Sequence, residues 1–135
     1  MIFLDTNIAI AALNDKPRAV AVEIAERAAG SEEIAISSIV LFELLYGIAK
    51  SQRREANRAK LENFLSGPIL VFDFSKEEAM IAGDLRHTLQ SKGTPIGPYD
   101  ILIAAHALRH NAVLATANVR EFKRVQGLKV ENWAK

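Results

Sequence analysis

The chain opens on Met1-Ile2-Phe3-Leu4, an apolar run too short for a helix, and Asp5 ends it with a charge. A run of that length bounded by polar residues reads as a buried strand of a parallel sheet. Similar runs recur at Ile34-Ala35-Ile36, at residues 69–74 and at Val113-Leu114-Ala115, with Leu128-Lys129-Val130 as the last. Helical patterns fill the intervals. Residues 7–13 form a short helix that Asp5 or Asn7 would cap. Residues 17–29 follow, with Pro17 in the first turn and Gly30 as the stop. A third helix runs from Ser37 or Ser38 through Glu43 to about residue 50, and a fourth over 53–65 ends at Gly67-Pro68. Ser75 and Glu78 have capping-box spacing for a helix reaching about residue 90. After a loop at 93–98 stiffened by two prolines, Asp100 opens a helix over 101–110. Strands alternating with helices specify an α/β fold: a three-layer α/β/α sandwich around a mostly parallel sheet, as one domain over 1–135.

Composition removes several classes of chemistry. There is no cysteine, so disulfides, zinc–thiolate centres and thiol nucleophiles are excluded, and any metal must take oxygen or histidine ligands. The lack of cysteine suits a reducing cytoplasm. With the first strand starting at residue 2, no signal peptide is expected, and no apolar run approaches the roughly 18 residues of a membrane span. The formal net charge of +1 does not by itself mark a nucleic-acid binder.

The acids carry more information. In open α/β sheets ligands lie outside the carboxyl ends of the strands, where Asp5 sits. Glu43 lies in a helix that is apolar almost all round, and it shares a narrow stripe with Gly47 and Lys50 at i, i+4 and i+7. Asp100 precedes Ile-Leu-Ile-Ala-Ala. Each has a plain structural reading: a helix cap for Asp5, a solvated or Lys50-paired acid for Glu43, a favourable first-turn charge for Asp100. Together, three like charges converging on one cleft would repel unless a cation neutralised them, and hard oxygen ligands suit Mg²⁺ or Mn²⁺. Asp84 is an outlying further candidate. His87, His106 and His110 show no spacing that reads as a zinc site. A receiver domain would need paired acids after the first strand, and a haloacid-dehalogenase-type phosphatase a second acid where Asn7 stands.

Four ordered motifs then carry a resemblance: IFLDTN, SSIVLFELLYG, GTPIGPYDILIAAHAL and ATANVREFKRVQGLKVENW. Together they span nearly the whole chain and resemble the PIN-domain ribonuclease toxins of bacterial VapBC toxin–antitoxin modules. The resemblance implies a PIN-like α/β/α domain, often a homodimer. It also implies Mg²⁺- or Mn²⁺-dependent endoribonuclease activity on RNA, with tRNA as a class expectation, and neutralisation by a cognate VapB-like antitoxin that buries the cleft. The family's three acids fall on Asp5, Glu43 and Asp100, and its Thr-x-Asn/Asp position on Thr116 and Asn118. Many PIN nucleases have a fourth aspartate where this chain has Asn118, so the reading is one tightly held ion, with a second arriving at most with the substrate phosphate.

In that reading Asp5 and Asp100 are the principal ligands. Glu43 completes the shell or orients the attacking water, and Asn118 positions another water. Thr6 and Thr116 hydrogen-bond the carboxylates. Basic groups for an RNA-binding rim are Arg53, Arg54 and Arg58 on one helix, Arg120, Lys123 and Arg124 near the end, and Arg86. The rival is a catalytically weak or inactive PIN scaffold that only binds RNA or a protein.

Overall fold

The structure is a computed structural model that describes residues 1–133. Its strands are β1 (Ile2–Leu4), β2 (Ile34–Ser37), β3 (Ile69–Phe72), β4 (Val113–Thr116) and β5 (Lys129–Asn132). The helices are α1 (Thr6–Asn14), α2 (Arg18–Ala29), α3 (Ser38–Ala49), α4 (Arg54–Leu65), α5 (Lys76–Ser91), α6 (Pro98–Arg109) and α7 (Val119–Phe122). The five strands form one parallel sheet in the order β3-β2-β1-β4-β5. Every residue of β1 and β2 is buried, as happens when helices cover both faces of a sheet, whereas the edge strands β3 and β5 keep exposed positions.

The order sets where a site can form. From β1 the chain steps through β2 to β3 on one side, then returns to build β4 and β5 on the other. The reversal between β1 and β4 opens a crevice at their carboxyl ends. Asp5 follows β1 and Thr116 ends β4. The pairing of Leu4 with Ala115, extended by the Asp5 amide donating to the Ala115 carbonyl at 2.9 Å, fixes their relative height.

Several boundaries differ from the sequence reading for local reasons. Strand β3 stops at Phe72 rather than residue 74, because the Phe74 amide turns to the Ser38 hydroxyl at 2.9 Å. Pro17 stands at the cap position of α2, just before the first turn. Helix α6 begins at Pro98, so Asp100 lies within its first turn instead of opening it. Strand β5 covers Lys129–Asn132, shifted from 128–130, and the short helix α7 has no counterpart in the sequence reading. The capping box at Ser75 does form: Glu78 accepts from the Ser75 amide at 2.9 Å.

Candidate metal centre

Asp5 is held at both oxygens. It caps α1, with Oδ1 accepting from the Thr6 amide at 2.8 Å, and Oδ2 accepts from the Thr116 hydroxyl at 2.7 Å. The cap role and the site role are therefore filled by the same side chain. Asp5 is only 5 % exposed, and burial raises its pKa; the two hydrogen bonds pull the other way and the Glu121 charge adds to the rise. The Thr116 hydroxyl in turn accepts from the Asn118 amide at 2.9 Å, which fixes the turn after β4.

Glu43 reaches the crevice from α3. Its Oε1 accepts from the Thr6 hydroxyl at 2.7 Å, joining residues 37 positions apart in sequence. Lys50 does not pair with it and instead lies over the Tyr46 ring at 4.8 Å. One turn below the carboxylate, a Cβ added to Gly47 would meet nothing within 4 Å. That space belongs to a groove of about 190 Å³ bordered by Ile10, Leu13, Glu43 and Asn57.

Asp100 projects from the first turn of α6. The Gly97 backbone approaches it so closely that a Cβ there would stand 3.1 Å from Asp100 Oδ2, which explains a glycine at that point. Burial pushes the Asp100 carboxyl up to about 7, with further contributions from the Asp5 charge, a hydrogen bond to Glu121, and the charges of Glu121 and Glu43. These mutual effects bring the three sequence-chosen acids into one electrostatic cluster.

Glu121 is the member that sequence reasoning missed. It extends from α7, where Oε1 accepts from the Gly97 amide at 2.8 Å and Oε2 from the Asn118 side-chain amide at 2.8 Å. Those two bonds, together with the one it accepts from Asp100, hold its pKa below the usual carboxylate value. Asn118 thus anchors a carboxylate three residues further on, and the charge its own side chain lacks is supplied by Glu121. The signal in the sequence was an amide at a helix start with an acid at the third position, but without α7 it had no structural meaning. The two carboxyls are thus shifted in opposite directions, Asp100 up and Glu121 down, as expected for acids that share a hydrogen bond.

Among the described residues, the remaining candidates form no ion pair with the four acids. The Arg124 charge helps to lower the Glu121 pKa, and its guanidinium donates to the Pro95 carbonyl at 2.9 Å. Arg53, Arg54, Arg58, Arg86 and Arg120 are exposed, and none of their side chains forms an ion pair or hydrogen bond among the described residues; Lys123 is exposed too. Arg53 and Arg54 border a broad open cleft after α3 that none of the four acids lines. Asp84 sits on α5 beside a separate surface cleft with Leu85, Thr88 and Arg124. Among the histidines, His106 and His110 each offer a ligand atom within 4.8 Å of the other's and of a Glu78 oxygen, a grouping that draws on a third residue from another helix. Next to the acid cluster, Phe42 and Tyr99 immediately precede Glu43 and Asp100, and their half-exposed rings lie 5.6 Å apart.

Four carboxylates gathered at the switch point of a small parallel sheet make an acid-lined centre of the kind that can hold a divalent cation. Comparison with known proteins gives the family. The PIN domain family profile matches residues 2–128. The chain is 47 % identical over 132 residues to ribonuclease VapC2 of Rickettsia felis, spanning 98 % of this chain and 97 % of that protein. It is 42 % identical to the tRNA(fMet)-specific endonuclease VapC of Salmonella typhimurium over 96 % of each. Its fold superposes with a TM-score of 0.91 and 44 % identity on a chain of Rickettsia felis VapBC2 crystallised with a DNA fragment from their promoter, over 98 % of this chain and 99 % of that one. The chain belongs to the PIN domain family and, within it, to the VapC-type ribonuclease toxins.

Proposed function

We propose that this chain is the endoribonuclease toxin of a type II toxin–antitoxin module, cutting RNA with a Mg²⁺ or Mn²⁺ ion held by Asp5, Asp100, Glu43 and Glu121. The observation that carries the ion is the convergence of Asp5, Glu43, Asp100 and Glu121 on one crevice. Among the described residues no lysine or arginine forms an ion pair with any of them, and a hard cation would neutralise their mutual repulsion. The chemistry such an ion supplies when bound is activation of a water molecule and neutralisation of charge on the scissile phosphate.

The chain's own groups divide the remaining work. Asp5 and Asp100 hold the ion. Asp5 is immobilised by the Thr6 amide and the Thr116 hydroxyl, so it offers a fixed oxygen at little cost in ordering. Glu43, oriented by the Thr6 hydroxyl, completes the shell or aims the attacking water. Asn118 holds Glu121 toward Asp100 and so takes part through that carboxylate rather than by positioning a water itself. Glu121 supplies a fourth carboxylate beside Asn118, which favours an active site over a catalytically inert scaffold.

RNA is the substrate class, and tRNA the first to try, because a relative 42 % identical is named for tRNA(fMet). Exposed Arg53, Arg54, Arg86 and Arg120 are the proposed backbone-binding groups. The partner is a cognate VapB-like antitoxin, in keeping with the VapBC complex to which the structural relative belongs. Exposed Ile10 on the groove below Glu43, together with exposed Phe42 and Tyr46 on α3 and Tyr99 on α6, gives it apolar surface to cover. We place the protein in the cytoplasm as a homodimer; no described helix is long and apolar enough to cross a membrane. The test is cleavage of initiator tRNA transcript by purified protein: activity lost in EDTA, restored by Mg²⁺ or Mn²⁺, and absent in Asp5→Ala. Cleavage by Asp5→Ala at the wild-type rate would remove this mechanism.

A further inference from the structure

A second cluster of ligating groups lies outside the acid site. Glu78 in the first turn of α5, His106 in the last turn of α6 and His110 just beyond it each present one donor atom, and all three atoms lie within 4.8 Å of one another. We propose that these residues form a distinct divalent-cation site for an ion of the Zn²⁺ class, clamping the start of α5 to the end of α6.

The unpartnered atom is the strongest observation. His106 is fully buried among the rings of Phe3, Phe72 and Phe74, yet its Nε2 has no hydrogen-bond partner. The nearest carboxylate oxygen, Glu78 Oε1, is 3.7 Å away. That is too long for a hydrogen bond, but it suits two atoms bound to a common ion, because ligands each about 2.1 Å from Zn²⁺ stand about 3–4 Å apart. On the other side of the ring, Nδ1 lies 2.8 Å from the Ser37 hydroxyl oxygen. Donation from Nδ1–H to that oxygen leaves the Nε2 lone pair facing Glu78, the usual arrangement of a ligating histidine whose second nitrogen is held by a hydrogen bond.

The carboxylate can adapt. Glu78 Oε1 accepts from both the amide and the hydroxyl of Ser75, and that hydroxyl has a second acceptor in Glu77 Oε2 at 2.7 Å, so it can turn away when an ion arrives. Arg109 Nε stands 3.5 Å from the other oxygen, Oε2, and does not compete for Oε1 on the histidine side. A cleft of about 350 Å³ lined by Asp73, Ser75, Glu78 and His110 connects the cluster to solvent and leaves room for a water as a further ligand. Two imidazoles and one carboxylate favour Zn²⁺, Co²⁺ or Ni²⁺ over Mg²⁺, which prefers all-oxygen shells. The site is thus chemically separate from the four-acid centre.

Co²⁺ is the probe that tells the two sites apart. Untagged protein in excess Mg²⁺, which occupies the acids, is titrated with Co²⁺ and then Zn²⁺ while the visible spectrum and the Tm are followed. One equivalent of Co²⁺ is expected to give the intense bands of a four- or five-coordinate site, to be displaced by Zn²⁺, and to raise Tm. His110→Gln and Glu78→Gln should weaken binding by about tenfold or more, while Asp5→Asn keeps both band and affinity. His110 is only half-buried, so its variant tests the site without emptying the core. The proposal is overturned if Co²⁺ gives only the faint six-coordinate spectrum, or if His110→Gln binds Zn²⁺ as tightly as wild type.

Discussion

Replacing Asp100 by asparagine tests the electrostatic account of the site most directly, because it should make the ion-free protein more stable while destroying its function. In the folded chain Asp100 has its pKa moved from 3.8 to about 7. Between those values the folded state binds more protons than the unfolded one, so the stability of the ion-free protein falls as pH rises through that window. At about 1.4 kcal/mol per pH unit, the loss assigned to Asp100 between about pH 5 and about pH 8 is up to about 3 kcal/mol. Asparagine cannot ionise, and its amide can still donate to Glu121. Urea unfolding in EDTA should therefore show Asp100→Asn overtaking wild type as pH rises, by up to about 3 kcal/mol. Adding Mn²⁺ at the higher pH should stabilise wild type and leave the variant nearly unchanged. A gap between the two proteins that stays flat with pH, or a variant less stable than wild type at about pH 8, would refute the claim that these acids are held together against their repulsion.

Other expectations are simpler to check. Glu121→Gln keeps the hydrogen-bonding shape and removes one charge, so Mn²⁺ affinity measured by calorimetry should fall about 10–100-fold; an unchanged affinity would return Glu121 to a purely structural role. Thr6→Val removes the hydroxyl that orients Glu43, and RNA cleavage should drop about 10–100-fold while urea stability moves by less than about 1.5 kcal/mol. The double change Arg53→Ala and Arg54→Ala should flatten the salt dependence of RNA binding by about 0.7 in log–log slope for each phosphate that the protein no longer neutralises. An unaltered slope would exclude that helix start from the RNA path.

Most of the architecture was legible in the chain because it is locally encoded. Strand-length apolar runs, the Ser75–Glu78 box and the Gly30 stop announce elements through periodicity and capping, which operate over a few residues. Asp5, Glu43 and Asp100 could be chosen for the same reason, since each interrupts an apolar stretch. Glu121 could not, because α7 is too short to display a period and the residue looks like any solvated acid. Nor could the approach of His106 to Glu78, since the two residues come from different helices.

The order β3-β2-β1-β4-β5 and the hydroxyls that fix the site were decided only in three dimensions. Thr116 is 111 residues from the Asp5 carboxylate it binds, and Thr6 is 37 from Glu43. No local pattern carries such pairings, because they depend on which strands lie side by side. Sequence determined that acids would stand at the ends of buried elements. Tertiary structure determined which of them meet, and that their shared burial and charge push the Asp100 carboxyl well above its ordinary value.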